Sequence, residues 1–387
     1  MAESPATLTT VDGILKEFYL PTVRENITKG LVLYEKLQRN SEDVAGREAV
    51  ISINYGRNPG IGSAAENAAL PDSGHQQFKQ AKYSMKYLYG VFGLTGQSIR
   101  ATKNDAGALA KTLDREMKGL TRDFKNELNR IVNGDASGEL TKVNGTTGSQ
   151  TVITVDSTRF MVEGMKLTIG TDHDVILSTV DSDTQITILA AINVADNDVI
   201  TREDADEANG IANLIDTTGT IGNIDRSTNA WWKAIEQSNS GTTRDMTLPL
   251  LQTLQTAVEQ KTNNLPDFYL SKHALRDVYI NQLVPDKRYV NTNSMDAGAG
   301  RIPEFGGVPW YSDKDAANGV VFAITQEHLN LFEQGPFDWM DLDGAILSRV
   351  RGYDKYEGTL FYYHQAGADN CRNLAKLTDL SETYVTT

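Results

Sequence analysis

The residues able to do chemistry are few and scattered. Five histidines, His75, His173, His273, His328 and His364, accompany a single cysteine, Cys371. The one pairing with a nucleophile and a base is Cys371 with His364, an imidazole-activated thiolate if the two meet. Against that chemistry, both fall in runs that read as adjacent strands, where a free cysteine is a small buried hydrophobe. No His-Glu-x-x-His, no Gly-x-Ser-x-Gly and no dinucleotide fingerprint occurs. The glycine-rich stretch from Gly56 to Gly74 lacks the Gly-Lys-Ser/Thr ending of a phosphate loop, and Pro59 removes one N–H donor such a loop would use. The pairs Asp172/Asp174, Asp181/Asp183 and Asp196/Asp198 have the clustering that hard cations want, but none sits in a complete calcium-loop pattern, and aspartate is a favoured turn residue. Trp231-Trp232 is either a stacking platform for a base or sugar or a packing anchor. The expectation is no catalytic residue, no cofactor and no metal.

Composition narrows the classes further. A chain of 387 residues exceeds one comfortable core, so about two or three domains are expected. Forty per cent hydrophobic and 23% charged residues describe ordinary globular material. The opening MAESPATLTTVDGIL has neither the basic nor the apolar region of a signal peptide, and no apolar run reaches the ~18 residues that suggest a membrane span, so no membrane partner is expected. One cysteine excludes an internal disulfide. A net charge of -14 argues against a protein that grips nucleic acid, because phosphate affinity comes from lysine and arginine.

The elements that would position these residues hang on one amphipathic helix. Leu109, Leu113, Met117, Leu120, Phe124, Leu128 and Ile131 recur at helical spacing and form one apolar stripe between about residues 104 and 134. Lys111, Lys118, Arg122 and Lys125 fall on the other face, Asn104 or Asp105 caps the start, and Asn133-Gly134 supplies the stop. Before it, residues 1–45 give short helical pieces broken by Pro21 and Gly30, an arm without its own core. Residues 46–98 read as strand, glycine-rich tip and strand: Ala49, Ile51 and Ile53 alternate on the way out, and Tyr83, Met85, Tyr87, Tyr89 and Val91 on the way back. After the helix segment (99–138), short Thr/Val/Ile runs over 139–204 predict an all-β insertion, a sandwich or barrel.

From 205 onward the pattern is mixed. A helix carries Leu248, Leu251, Leu254 and Val258, Phe268 to Leu270 is a strand, and Ser271 caps a helix bearing Leu275, Val278 and Tyr279. GGVPWYSD (306–313) leads into an edge strand, VVFAIT (320–325) is a buried strand, and TLFYYH (359–364) and CRNLAKLTDL (371–380) read as paired strands. The fold class is α+β.

Arm, hairpin, long helix, mixed domain and terminal strands, in that order, resemble the major capsid proteins of tailed double-stranded DNA bacteriophages, the fold first known from Hong Kong ninety-seven phage. The stretches that carry the resemblance are RNPGIGSAAENAALPDSG and KYLYGVFGLTGQSI in the hairpin, EMKGLTRDFKNELNRIVNGDASGEL in the helix, then GNIDRSTNAWWKA, LVPDKRYVNT, FGGVPWYSDKDA, and FDWMDLDGAI with FYYH. The resemblance spans nearly the whole chain, and the all-β insertion is its most variable part.

The resemblance implies an N-terminal arm (1–45) and an extended hairpin, the E-loop (46–98), both reaching over neighbouring subunits. It implies a peripheral domain made of the spine helix (99–138) and the C-terminal strands (346–387), and an axial domain over 205–345. Arg57, Asn58, Glu66, Lys79 and Lys82 are then contact residues by position. The founding member cross-links a hairpin lysine to an asparagine; Lys79, Lys82 and Lys86 match it only by location, and no cross-link is expected. The implied partners are copies of the chain itself in pentamers and hexamers, a separate scaffolding protein, a portal, a candidate decoration protein, and enclosed double-stranded DNA without sequence-specific binding. The implied location is the virion capsid, after synthesis in the host bacterial cytoplasm. An encapsulin-like nanocompartment shares that fold, and a soluble hydrolase with a β-sandwich accessory domain is the alternative from another class.

Overall fold

The apolar stripe forms a single helix of 28 residues, Ala106–Asn133, on the order of 40 Å long at 1.5 Å per residue. The computed structural model describes residues 31–66, 69–97, 106–202, 206–283, 303–341 and 346–383, with side chains omitted for 106–114. Residues 1–30 of the arm and the side chains of Leu109 and Leu113 therefore lie outside the described residues. The chain divides into two compact units, one made of Met1–Asn133 with Ala208–Thr387, the other of Gly134–Glu207.

In chain order the first unit contains α1 (Val32–Lys36), β1 (Glu48–Gly56), β2 (Gln77–Ser84), β3 (Lys86–Thr95), α2 (Ala106–Asn133), α3 (Ile211–Leu214), α4 (Leu248–Thr262), β4 (Phe268–Ser271), α5 (His273–Leu283), β5 (Val308–Ser312), β6 (Val321–Ile324), β7 (Leu329–Glu333), β8 (Lys355–Ala368) and β9 (Ala375–Leu377), with shorter strands between. Its first sheet is built around β8. Strand β3 pairs antiparallel along one edge of β8, from Lys355↔Thr95 to His364↔Lys86. Along the other edge lie β7, Asp338–Trp339 and Leu347–Arg349 in turn.

The expected continuous hairpin over 46–98 is thus two structures. Strands β1 and β2 pair from Glu48↔Ser84 to Gly56↔Gln77. At Met85 the alternation inverts: Tyr83 and Met85 are buried, whereas Tyr87, Tyr89 and Val91 are exposed and Phe92 and Leu94 face inward. One residue out of the pleat exchanges the two faces of a strand, and the returning chain enters a different sheet.

Helix α2 lies on the inner face of the β3–β8 sheet. Met117, Phe124, Leu128 and Ile131 are buried and Leu120 is half-buried. The approach is close, for a Cβ on Gly90 of β3 would sit 3.1 Å from Leu120 Cδ1 and 3.2 Å from Phe124 Cδ2. The end of the arm belongs to the same core. Leu31, Leu33, Tyr34 and Leu37 are buried, and Gln38–Asn40 pairs parallel with β7.

The second sheet of this unit has the order Ile235–Gln237, β9, β6, β4, β5, Glu304–Phe305. Strand β9 therefore pairs with β6 and with Ile235–Gln237, not with 359–364 as the sequence suggested, and Cys371–Asn373 is a 3-10 turn between the two sheets. Strand β5 has neighbours on both sides and is not an edge. Helices α4 and α5 cover this sheet through Leu251, Leu254, Val258, Leu275, Val278 and Tyr279, with the Tyr279 ring stacked on Trp310 at 4.9 Å. Asn263 closes α4 in the left-handed region (φ 58°). Ser271 does not cap α5; its hydroxyl accepts the Trp310 indole N–H at 2.8 Å.

The second unit is a six-stranded sheet in the order 139–142, 199–202, 166–169, 172–182, 185–194, 148–154, and a bridge between Val143 and Val155 brings its two ends together. Ile153, Leu167, Leu177, Ile186 and Ile200 fill it. Its aspartates serve the turns: Asp181 accepts from Thr179 and Thr187, Asp196 from the Gly145 N–H, and Asp198 from the Ala195 N–H.

The β3–β8 seam has little room to give. A Cβ on Gly358 would lie 2.5 Å from Phe92 Cε1, inside the ring that packs edge-on against Trp339 at 5.6 Å. Gly358→Ala is expected to destabilise the first unit by about 1–3 kcal/mol, with partial recovery on adding Phe92→Leu, both read by urea denaturation.

Candidate assembly surface

The hairpin β1–β2 has one face on its own subunit and one in solvent. Ala49, Ile51, Ile53 and Tyr55 point inward with Ala81 and Tyr83, as the alternation requires. The Tyr55 ring stacks on Trp231 at 4.6 Å and 14°. Lys82 N–H donates to the Gly222 carbonyl at 3.0 Å, and the buried Tyr83 hydroxyl donates to the Ala368 carbonyl at 2.7 Å. Burial pushes the Tyr83 phenol far above its ordinary range. Trp232, also buried, donates its indole N–H to the Ile221 carbonyl at 3.1 Å, so the tryptophan pair anchors packing, one ring in the body and one under the hairpin. Between β1 and the turn after β8 lies a cleft of about 350 Å³ lined by Ile53, Tyr55, Trp231, His328, Asp369 and Arg372 among others.

The five contact residues expected from position separate accordingly. Arg57, Glu66 and Lys82 are exposed. Lys79 is half-buried on the inward face and donates to Asn229 Oδ1 of its own chain at 3.3 Å. Asn58 braces the tip internally, donating to the Gly74 carbonyl at 3.1 Å while its Oδ1 accepts the Gly60 N–H at 2.8 Å. Between Arg57 and Gln76 no described residue is in a strand, and Ile61 and Leu70 are 68% and 84% exposed. Those side chains are large, apolar and uncovered within the subunit.

A second uncovered surface is the outer face of the β3–β8 sheet. Tyr87 meets Tyr363 edge-on at 4.9 Å, Tyr89 donates its hydroxyl to Tyr363 at 3.3 Å, and Phe361 lies 5.0 Å from Tyr363. Val91, 53% exposed, continues the strip. Sequence reasoning assigned these tyrosines to the face of Tyr83; the signal it lacked was the inversion at Met85.

The one enzymatic pairing is not assembled. His364 lies on β8, fully buried and stacked on the Tyr362 ring at 4.5 Å. Burial depresses its imidazole to about 4, against a smaller opposing effect from the Tyr362 backbone. Cys371 is buried beside Arg226, and burial raises its thiol to about 11 despite the guanidinium. A thiol so raised is not a thiolate at neutral pH.

No protein-family model and no curated protein matches this sequence. Solved structures do. The capsid asymmetric unit of cyanophage A-1(L) superposes with a TM-score of 0.57 at 12% identity, covering 98% of this chain and 97% of that one. The capsid of the native GTA particle gives 0.53 at 10% identity over 91% and 90%. At such identities the shared property is the fold, a mixed α+β fold of the Hong Kong ninety-seven type along nearly the full chain.

Two measurements follow from the geometry. Because the folded His364 titrates near 4 and the unfolded one near 6.5, the unfolded state binds the extra proton in between. Acidification through that window should therefore cost the first unit up to about 3 kcal/mol, and His364→Gln should flatten this dependence. His328, raised by its 2.8 Å contact with Asp369, acts with the opposite sign, adding stability below its unfolded value that is lost as pH rises through its folded one. Trp231→Ala should loosen the hairpin by about 1 kcal/mol, seen as roughly fivefold faster amide exchange in β1 with α2 unaffected.

Proposed function

We propose that this chain is a structural major capsid protein that assembles with copies of itself, as pentamers and hexamers, into an icosahedral head enclosing double-stranded DNA. The observation that carries the reading is the correspondence of fold over 98% of this chain and 97% of a phage capsid subunit. Two features of the subunit support it. The hairpin tip exposes Ile61 and Leu70 without a core of its own, and the sheet beside it leaves an aromatic strip uncovered. A neighbouring copy would cover such surfaces on assembly. The -14 charge suits a container that encloses DNA without holding it tightly.

In this reading the hairpin has a division of labour along its length. Its base, from Ala49 to Tyr55, is fixed to the subunit, and its tip, from Arg57 to Gln76, reaches a neighbour through Arg57 and Glu66, with Lys82 on the outward face of the returning strand. The arm, the axial region over 205–345 and the peripheral helix take the places they hold in phage capsid subunits. A separate scaffolding protein, a portal and a decoration protein are the partners such a head would use, and the virion, after synthesis in the bacterial cytoplasm, is the location.

Electron microscopy of negatively stained protein, expressed alone and with its neighbouring genes, tests the reading. Closed polyhedral shells, capsomer rings or tubes are expected. Monodisperse monomer under both conditions, or shells filled with protein cargo in place of DNA, would sink it. Replacing residues 60–74 by a two-glycine turn should abolish closed shells while leaving the melting temperature within a few degrees. Single alanine changes at Arg57, Glu66 or Lys82 should leave assembly nearly intact, because an exposed ion pair contributes only about 0–1 kcal/mol.

A further inference from the structure

Helix α2 gives one side to the β3–β8 sheet, and the side it keeps carries a row of cations. Arg115, Lys118, Arg122 and Lys125 follow at spacings of three, four and three, which at about 100° per residue holds them on one flank of the helix over about 15 Å. Arg115, Lys118 and Arg122 are exposed and Lys125 is half-buried. Glu116, Asp123 and Glu127 fall on the other flank, so the two signs separate across the helix. Arg122 does reach Asp123 at 3.1 Å, but the two side chains are 74% and 64% exposed, and water screens such a pair. Further along, Asn129 is covered by the loop after β5, and Lys314 of that loop continues the row: its side chain is 59% exposed and its Nζ, 3.8 Å from Asp315 Oδ2, donates to Asn126 Oδ1 at 3.2 Å.

The surroundings of the row add donors and few acceptors. A hollow of about 850 Å³ opens between the helix and β3, lined by Arg115, Lys118 and Arg122 on one side and by Val91 and Gly93 on the other, with Glu116 and Asp123 at its far flank. Gly96 N–H donates to the Asp354 carbonyl at 2.8 Å, and the pairing of β3 with β8 runs in register from there to Lys86. An antiparallel ladder alternates, so the N–H groups of Val91 and Gly93 point to the other edge of β3, where no strand lies among the described residues. Like charges one turn apart repel, so the row stabilises α2 less than alternating signs would. In a chain of net charge -14, this is a local positive surface with a definite direction.

We propose that this row is the surface through which the subunit meets the phosphate backbone of duplex DNA, an inference that rests on the capsid reading for the presence of DNA. A duplex carries one negative charge per about 1.7 Å of its axis, so a row of about 15 Å faces more phosphates than it has cations. Met117, Phe124 and Leu128 fix α2 to the sheet, so the helix lies on the backbone and does not enter a groove about 12 Å wide; phosphates position it and no base is read. About four cations per subunit hold weakly, in keeping with the acidic whole, and the contact gains strength by repetition over many copies. The aromatic strip of Tyr87, Tyr89 and Tyr363 lies on the opposite face of the same sheet and is turned away from the DNA.

The full-length chain is titrated into a fluorescent duplex of about 30 base pairs, and anisotropy is followed between about 50 and 200 mM potassium chloride. About four neutralised phosphates give a slope near -3.6 for log K against log salt, a loss on the order of 100-fold over that range. Arg115→Gln with Arg122→Gln should reduce the slope by about 2 and weaken binding at the lower salt more than about tenfold. Arg115→Lys with Arg122→Lys should keep both, and melting temperatures within about 2 °C of wild type show that each variant is folded. Arg159→Gln with Lys166→Gln makes the same change of charge on the second unit and should leave the slope alone. Absence of binding by wild type at the lower salt overturns the proposal, as does an equal loss in the Arg159 and Lys166 variant. Polyglutamate bound more tightly than the duplex at matched charge also overturns it and assigns the row to an acidic protein segment. Shell formation is read separately by electron microscopy: wild type that closes shells but binds no duplex fails this inference alone, and protein that binds duplex but never closes shells fails the capsid reading alone.

Discussion

The larger unit depends on one pairing, the antiparallel seam between β3 and β8. It joins residues near position 90 to residues near 360, so the loop it closes contains the helix α2, the whole second unit and every strand of the second sheet but β9. A contact of that sequence separation is entropically costly to form and has to be specific once made. Specificity comes from shape: Phe92 occupies the space over Gly358, and Leu120 and Phe124 of α2 occupy the space over Gly90. Glycine on a strand normally weakens it; in this sheet each absent side chain admits another residue's ring or branch.

Buried polar groups tie the remaining ends to that seam. Tyr34, at the start of the described chain, donates its hydroxyl to Tyr362 of β8 at 3.1 Å, and Tyr362 donates to Glu333 of β7 at 2.7 Å. Burial raises both phenols, so both hydroxyls keep their protons and act as donors. Arg226, wholly buried, gives its guanidinium to the carbonyls of Asn213, Leu214 and Thr218, closing the C-terminal end of α3 without a carboxylate partner among the described residues. Such networks define a unique arrangement more than they add net stability, since every donor left over would be expensive.

Much of this was legible in the residues, and what was not has identifiable causes. The helix followed from spacing alone, because a stripe from Met117 to Ile131 has no other regular solution. The strands of the second unit followed from Thr/Val/Ile runs between turn residues. The break at Met85 was not legible: KYSMKYLY alternates without interruption, and only the pairing partner reveals that the pleat changes sides. The pairing of β9 was hidden for a related reason. Short apolar runs such as Ala375–Leu377 fit many sheets, and proximity in sequence to β8 favours the wrong one. At the candidate surface, Arg57 and Glu66 were recognisable as exposed tip charges, whereas the inward turn of Lys79 and the bracing role of Asn58 depend on Asn229 and Gly74, which the sequence does not mark as neighbours.

The hairpin shows how one element can be stable and still incomplete. Its base has a folded partner, because Tyr55 of β1 lies on Trp231 while Ala81 and Tyr83 of β2 lie against Gly222, with the Tyr83 hydroxyl on the Ala368 carbonyl at the end of β8. Its tip, which has no strand among the described residues, leaves Ile61 and Leu70 exposed. Anchoring the base removes much of the entropy that a free ribbon would lose on binding, so a weakly attractive tip contact becomes usable once the base is held. Had the whole hairpin been free, the neighbour would have to order some forty residues for the same contact; had it been wholly covered, Ile61 and Leu70 would have nothing to offer. The point where Tyr55 meets Trp231 is therefore the boundary between the part of the hairpin fixed to the subunit and the part that, in the proposed reading, would meet a neighbour.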